Sequence, residues 1–127
     1  MIDDLYREVI LEHYKNPIHK GNLESHNHDF EDENPLCGDF IHVDLQVDES
    51  GLIQEAAFSG HGCAISQASA DILLDAIIGK NVEEVKKMET QDVLDLLGID
   101  LGPVRLKCAL LPFKVIKAAL YGIEKEK

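Results

Sequence analysis

Basic residues, paired cysteines and long apolar runs are all scarce in this chain. Twelve Lys and Arg stand against 24 Asp and Glu among its 127 residues, a formal net charge of −12. Such a charge opposes a polyphosphate backbone, so nucleic acid is not the expected partner. A face rich in carboxylates can steer a basic protein partner, or simply keep the domain soluble. No apolar run approaches the roughly 20 residues that span a bilayer, so no membrane segment is expected. Met1-Ile2-Asp3-Asp4 is acidic where a secretion signal is basic, and no apolar core follows it. The expectation is a cytoplasmic protein.

Three cysteines is an odd count, which argues against a closed disulfide framework. There is no C-x-x-C, so neither a zinc ribbon nor a thioredoxin-like redox pair is signalled. Twenty-five residues separate Cys37 from Cys63 and 44 separate Cys63 from Cys108. Any site they share has to be assembled by the fold.

The length and the 45% hydrophobic content fit one domain spanning 1–127. Leu5, Val9, Tyr6, Ile10 and Tyr14 recur at helical spacing and predict a helix over 3–15, ended by Asn16-Pro17. The polar stretch 18–36 reads as a mobile loop. Ile41, Val43, Leu45 and Val47 alternate with His42, Asp44 and Gln46, the pattern of a half-buried strand. Asp48-Glu49-Ser50-Gly51 supplies a turn, and 52–58 the return strand of a hairpin. From Ser66 the period becomes helical, through Ala68, Ser69, Ile72, Leu73, Ala76 and Ile77, and Gly79 is its natural stop. Asn81 and Glu84 resemble a capping box. Thr90 is the expected cap of a helix over 91–97 that Gly98 closes. A last helix runs to Tyr121 with Pro112 inside it, where proline kinks unless it is near the start. The class is α+β: antiparallel strands with helices covering one face.

Each cysteine falls at a junction between these elements. Cys37 lies in Asn34-Pro35-Leu36-Cys37-Gly38-Asp39 before the first alternating strand, and Cys63 follows Gly60-His61-Gly62 ahead of the Ser66 helix. Cys108 comes near the start of the last helix, where the backbone dipole favours a thiolate. A lone free cysteine is often only a small buried hydrophobe. Three at junctions, two beside glycines, suit a soft site for zinc, Cu(I) or iron–sulfur chemistry instead. A closed structural zinc site wants a fourth ligand, and Asp39 and His61 are the nearest candidates. A carboxylate is harder than a thiolate, so with Asp39 the site should release soft cargo more readily. Lys107 precedes Cys108 and is placed to lower its pKa or to pair with a carboxylate.

These segments resemble the U-type iron–sulfur cluster scaffolds, the family of IscU, SufU and the NifU N-terminal domain. The resemblance runs from Leu5-Tyr6-Arg7 and His13-Tyr14-Lys15-Asn16-Pro17 through the Cys37 and Cys63 segments. It ends at Arg105-Leu106-Lys107-Cys108-Ala109-Leu110. It implies a small three-stranded antiparallel sheet with helices packed on one face, and the cysteines gathered at one exposed end. It implies a cysteine desulfurase as sulfur donor, bound iron, a transient 2Fe–2S cluster, and apo iron–sulfur proteins as acceptors. Carried over by motif, Cys37, Cys63 and Cys108 are ligands and sulfur acceptors, Asp39 keeps the cluster labile, and Cys108 is the persulfide acceptor. A transient homodimer around a shared cluster is compatible with it.

Two departures from the family pattern bear on the cargo. Lys107 stands where IscU members have histidine, as in SufU members, yet the SufU insertion between the second and third cysteines is missing. Leu101-Gly102-Pro103-Val104-Arg105 only loosely matches the chaperone-recognition motif of IscU. The main expectation is therefore a non-enzymatic scaffold, and the alternative is a zinc-dependent (Zn2+) sulfurtransferase. A cysteine hydrolase lacks a recognisable base with its orienting group.

Overall fold

The computed structural model describes residues 2–34, 38–98 and 102–121. Among them the order is α1 (Ile2–Lys15), β1 (His28–Asn34), β2 (Asp39–Val47), β3 (Ile53–His61), α2 (Ala64–Ile77), α3 (Val82–Lys86), α4 (Thr90–Leu97) and α5 (Pro103–Tyr121). The strands make one antiparallel sheet in the order β1-β2-β3. Helices α2 and α5 pack on it and α1 packs on α2, which is the α+β architecture expected.

Alternation along β2 decides which side chains meet the helices. Ile41, Val43 and Leu45 are fully buried on the helical face, joined by Phe58 from β3 and by Leu73, Leu74 and Ile77 of α2. Asp39 shares their parity and so lies on that same face, while Phe40, His42, Asp44 and Gln46 point the other way.

The stretch 18–36 is not one mobile loop. It contains β1, and residues 19–21 run along β3, with Gly21 N donating to Phe58 O and Phe58 N to His19 O. The chain then crosses the polar face of the sheet, where Leu23 N donates to Asp44 Oδ2 at 3.2 Å. Asn27 closes the crossing by pairing with both backbone groups of Val47. Asp44 is left only 2% exposed by this cover. His42 lies 2.7 Å from Asp44 Oδ1 and 3.0 Å from Glu31 Oε1. Burial opposes a charge on that ring, but the two carboxylates outweigh it and hold the His42 pKa above its ordinary value.

A second buried carboxylate fastens α1. Asp71, in the middle of α2 and fully buried, accepts from Ile18 N at 2.9 Å and His19 N at 2.8 Å, and meets His13 Nδ1 at 2.6 Å. A buried acid without such partners would be costly.

The helix ends mostly follow sequence logic. Asn81 and Glu84 form the reciprocal box expected of them. At α4 the cap is Glu89 and not Thr90, because Asp92 reaches back to the Glu89 amide at 2.8 Å. Gly98 ends α4 with φ of 71°, a left-handed position that glycine takes without a Cβ penalty. Pro103 opens α5, as proline commonly does at a first helical position. Pro112 is well inside α5, where it cannot donate the helical bond to the carbonyl of Cys108.

Candidate metal centre

The first strand residue of β2, the residue before α2 and the second turn of α5 meet at one end of the sheet. They bring Asp39, Cys63 and Cys108 together, one ligand atom of each within 4.8 Å of the others. Asp39 is fully buried, Cys108 is 2% exposed, and Cys63 is half-buried. Cys37 lies outside the described residues.

Asp39 is held from both sides of its carboxylate. Cys63 caps the N-terminus of α2 with extended backbone and no side-chain capping bond of its own. Its amide instead donates to Asp39 Oδ1 at 2.7 Å, and its Sγ lies 3.7 Å from Oδ2. The carboxylate thus serves one of the amides that a helix start leaves unpaired, where the dipole favours negative charge. Glycine at 62 makes the approach possible. Its φ is +135°, and a Cβ there would run into Asp39 Oδ1. Gly60, two residues earlier, likewise allows a close approach, there by the carbonyl of Phe40.

Cys108 is placed by α5 rather than by a helix end. It is the sixth residue of Pro103–Tyr121, beyond the first turn where the dipole acts, so the expected dipole effect does not reach it. Its height against α2 is set next door, where Ser69 Oγ donates to Ala109 O at 2.7 Å. Ser66 Oγ, likewise buried, donates to Cys63 O at 3.1 Å. Gln67 in the same turn is 5% exposed, and its Oε1 has no hydrogen-bond partner among the described residues.

Of the two candidate fourth ligands, strand alternation brings Asp39, and not His61, to the sulfurs of Cys63 and Cys108. His61 sits opposite Phe40 in the β2–β3 register, on the face away from the helices. Its ring is exposed and stacks on Phe40 with centroids 5.7 Å apart. Lys107 is exposed. Asp71 and Ser69 hold the frame around the site, and only a lone acid amid the apolar run Ala70–Leu74 hints at the former.

Two sulfurs and one carboxylate oxygen, open to solvent at Cys63, suit zinc or iron. A fourth position is left for another ligand, and the oxygen makes the set harder than an all-thiolate site.

Residues 5–127 match the NifU-like N-terminal domain family. The chain belongs to that family. It is 37% identical to the zinc-dependent sulfurtransferase SufU of Bacillus subtilis, over 98% of this chain and 93% of that one. It is 32% identical to the iron-sulfur cluster assembly scaffold protein IscU of Haemophilus influenzae, over 91% and 92%. Among solved structures it resembles a putative iron–sulfur cluster assembly scaffold protein for the SUF system from Fervidobacterium islandicum. That match has a TM-score of 0.76 and 29% identity, covering 89% of this chain and 94% of that one. The SufU alignment runs over 142 positions against 127 residues here, so at least 15 of them are gaps in this chain. SufU therefore carries residues with no counterpart in the shorter chain.

Proposed function

We propose that this chain, as one domain, is a scaffold that collects sulfur and iron at Cys37, Cys63, Cys108 and Asp39. It builds a transient 2Fe–2S cluster there and passes it to apo-proteins. The observation that carries this reading is the meeting of Asp39, Cys63 and Cys108 within 4.8 Å, on elements that the chain itself does not place close in sequence.

Sulfur arrives as the terminal sulfur of a desulfurase persulfide. A thiolate of this chain attacks that sulfur, a new S–S bond forms, and the donor cysteine leaves as thiolate. Cys108 is the proposed acceptor. Sulfide formation then needs electrons, drawn in part from ferrous iron and otherwise from an external electron donor. The net charge of −12 would guide a basic face of the desulfurase or of an acceptor. No helix among the described residues is long and apolar enough to cross a membrane. A reducing cytoplasm would keep these thiols free.

Anaerobic incubation with ferrous iron, cysteine, a desulfurase and a reductant should develop visible sulfur-to-iron absorption. Serine at Cys37 and Cys63 should abolish it. No colour in the wild type, or equal colour in that variant, overturns the scaffold reading.

A second reading is favoured by the likeness to SufU and by Lys107. Here the same four residues hold zinc, and one thiolate leaves the metal to take up sulfur. It predicts tightly held zinc, no acid-labile sulfide, and stimulation of desulfurase turnover without iron.

A further inference from the structure

On the face of the sheet away from Asp39, Cys63 and Cys108, two cross-strand pairs stand side by side. Asp29 is opposite Asp44, and Glu31 is opposite His42. Directly opposed carboxylates repel one another, yet no lysine or arginine among the described residues pairs with Asp29 or Asp44. What faces both is His26, whose Nε2 lies 3.0 Å from Asp29 Oδ2 and 3.6 Å from Asp44 Oδ1.

The other nitrogen of His26 fixes what that Nε2 can be. Nδ1 is 3.2 Å from the carbonyl of Leu23, and a carbonyl only accepts, so Nδ1 carries the proton. In the neutral ring Nε2 then presents a lone pair to two carboxylate oxygens. The space among the three atoms is a place for a cation, either the second proton of an imidazolium or a metal ion. A histidine whose far nitrogen is anchored on a backbone carbonyl is in the orientation of a metal ligand.

We propose that His26, Asp29 and Asp44 form a second metal site, separate from the cysteines, that takes a divalent first-row transition-metal ion through one nitrogen and two carboxylate oxygens. These three ligand atoms lie within 4.8 Å of one another. Asp44 is the fixed member, its side chain 3% exposed, with Oδ2 held by Leu23 N and Oδ1 met by His42 at 2.7 Å. The side chains of His26 and Asp29 are 31% and 52% exposed, which leaves the outward coordination positions to water. A donor set without sulfur separates the two sites chemically: it suits Fe(II), Co(II) or Zn(II) and discriminates against Cu(I), which favours thiolates. The site does not depend on how the cysteines are used.

Cobalt(II) titration of the full chain tests this. The wild type should take up Co(II) in two classes. One shows thiolate-to-cobalt charge transfer from the cysteines; the other shows only ligand-field absorption, with the His26 ring protons shifted by the paramagnet. The second class should persist when Cys37, Cys63 and Cys108 are serine. It should weaken about tenfold or more in His26→Gln, where removal of a ligand costs at least as much as loss of an outer-shell partner. Glutamine can still donate to the Leu23 carbonyl, and Asp29→Asn, which relieves the Asp29–Asp44 repulsion while removing a ligand charge, should weaken the same class without lowering the thermal transition. Absence of a sulfur-free class, or affinity within about twofold in His26→Gln, overturns the proposal. Loss of only the charge-transfer class would count against the cysteine centre and leave this site standing.

Discussion

The amide of Cys63 donates to Asp39 Oδ1 at 2.7 Å while the sulfur of the same residue lies 3.7 Å from Oδ2. One carboxylate therefore has two relationships: it pairs the start of α2, and it stands within reach of the two sulfurs of the candidate metal centre. Whatever alters Asp39 should change both the stability of that helix end and the release of bound cargo.

Asp39→Ala removes the only oxygen donor of the described set. The helix start loses a partner worth about 1 kcal/mol, and the remaining set is softer. A reconstituted cluster should survive about tenfold longer against a chelator or an apo acceptor, read as decay of the visible absorption. A lifetime equal to or shorter than that of the wild type contradicts the role of Asp39.

Gly62→Ala drives a methyl group into Asp39 at a positive φ. The protein should lose roughly 1–3 kcal/mol in denaturant unfolding, and metal affinity at the cysteine centre should fall with it. Gly79→Ala, where the added Cβ meets nothing within 4 Å, controls for the backbone effect alone and should leave metal affinity unchanged.

Ser69→Ala deletes the bond to Ala109 O and should cost about 1 kcal/mol. Since that bond sets α5 against α2 beside Cys108, zinc affinity should drop more than in an equally destabilised variant remote from the site. Competition with a coloured chelator measures it.

Asp71→Ala strands the amides of Ile18 and His19 and should cost roughly 2–4 kcal/mol. Hydrogen exchange should show protection lost first along residues 18–21, next to β3.

The β2–β3 turn should respond to acid. The Asp48 carboxylate accepts from Leu52 N above all, then from Ser50, and these bonds hold its pKa below the ordinary value. A depressed carboxylate stabilises the fold above its ordinary pKa, and the contribution fades as pH falls through the lowered value. Asp48→Asn should flatten that acid limb, followed through exchange of the Leu52 amide.

How far the sequence led depended on what each segment buries. β2 was legible because Ile41, Val43, Leu45 and Val47 alternate, and α3 because Asn81 and Glu84 sit three apart. β1 was not, because His28-Asp29-Phe30-Glu31-Asp32-Glu33-Asn34 has one apolar residue facing the core and a composition that strands disfavour. It exists through its pairing with β2 and through α5, where Lys114 reaches Asp32 at 2.9 Å and His28 reaches Ala119 O at 3.1 Å. Cysteine motifs pointed to the candidate metal centre, but not to the buried carboxylates of Asp71 in α2 and of Asp44 on the opposite face of the sheet. Their partners lie 52 and 53 residues away for Asp71 and 21 for the Leu23 amide that covers Asp44, beyond any local pattern. Choosing Asp39 over His61 needed the strand register.

Metal and acid-labile sulfide content after anaerobic purification, compared among the wild type, Cys63→Ser and Cys108→Ser, tests the shared centre most directly. Wild-type protein should retain iron with sulfide, or zinc without it, near stoichiometry, and each serine variant should lose most of that sulfide or thiolate-bound zinc. Equal content in all three proteins would contradict a centre built on Cys63, Cys108 and Asp39.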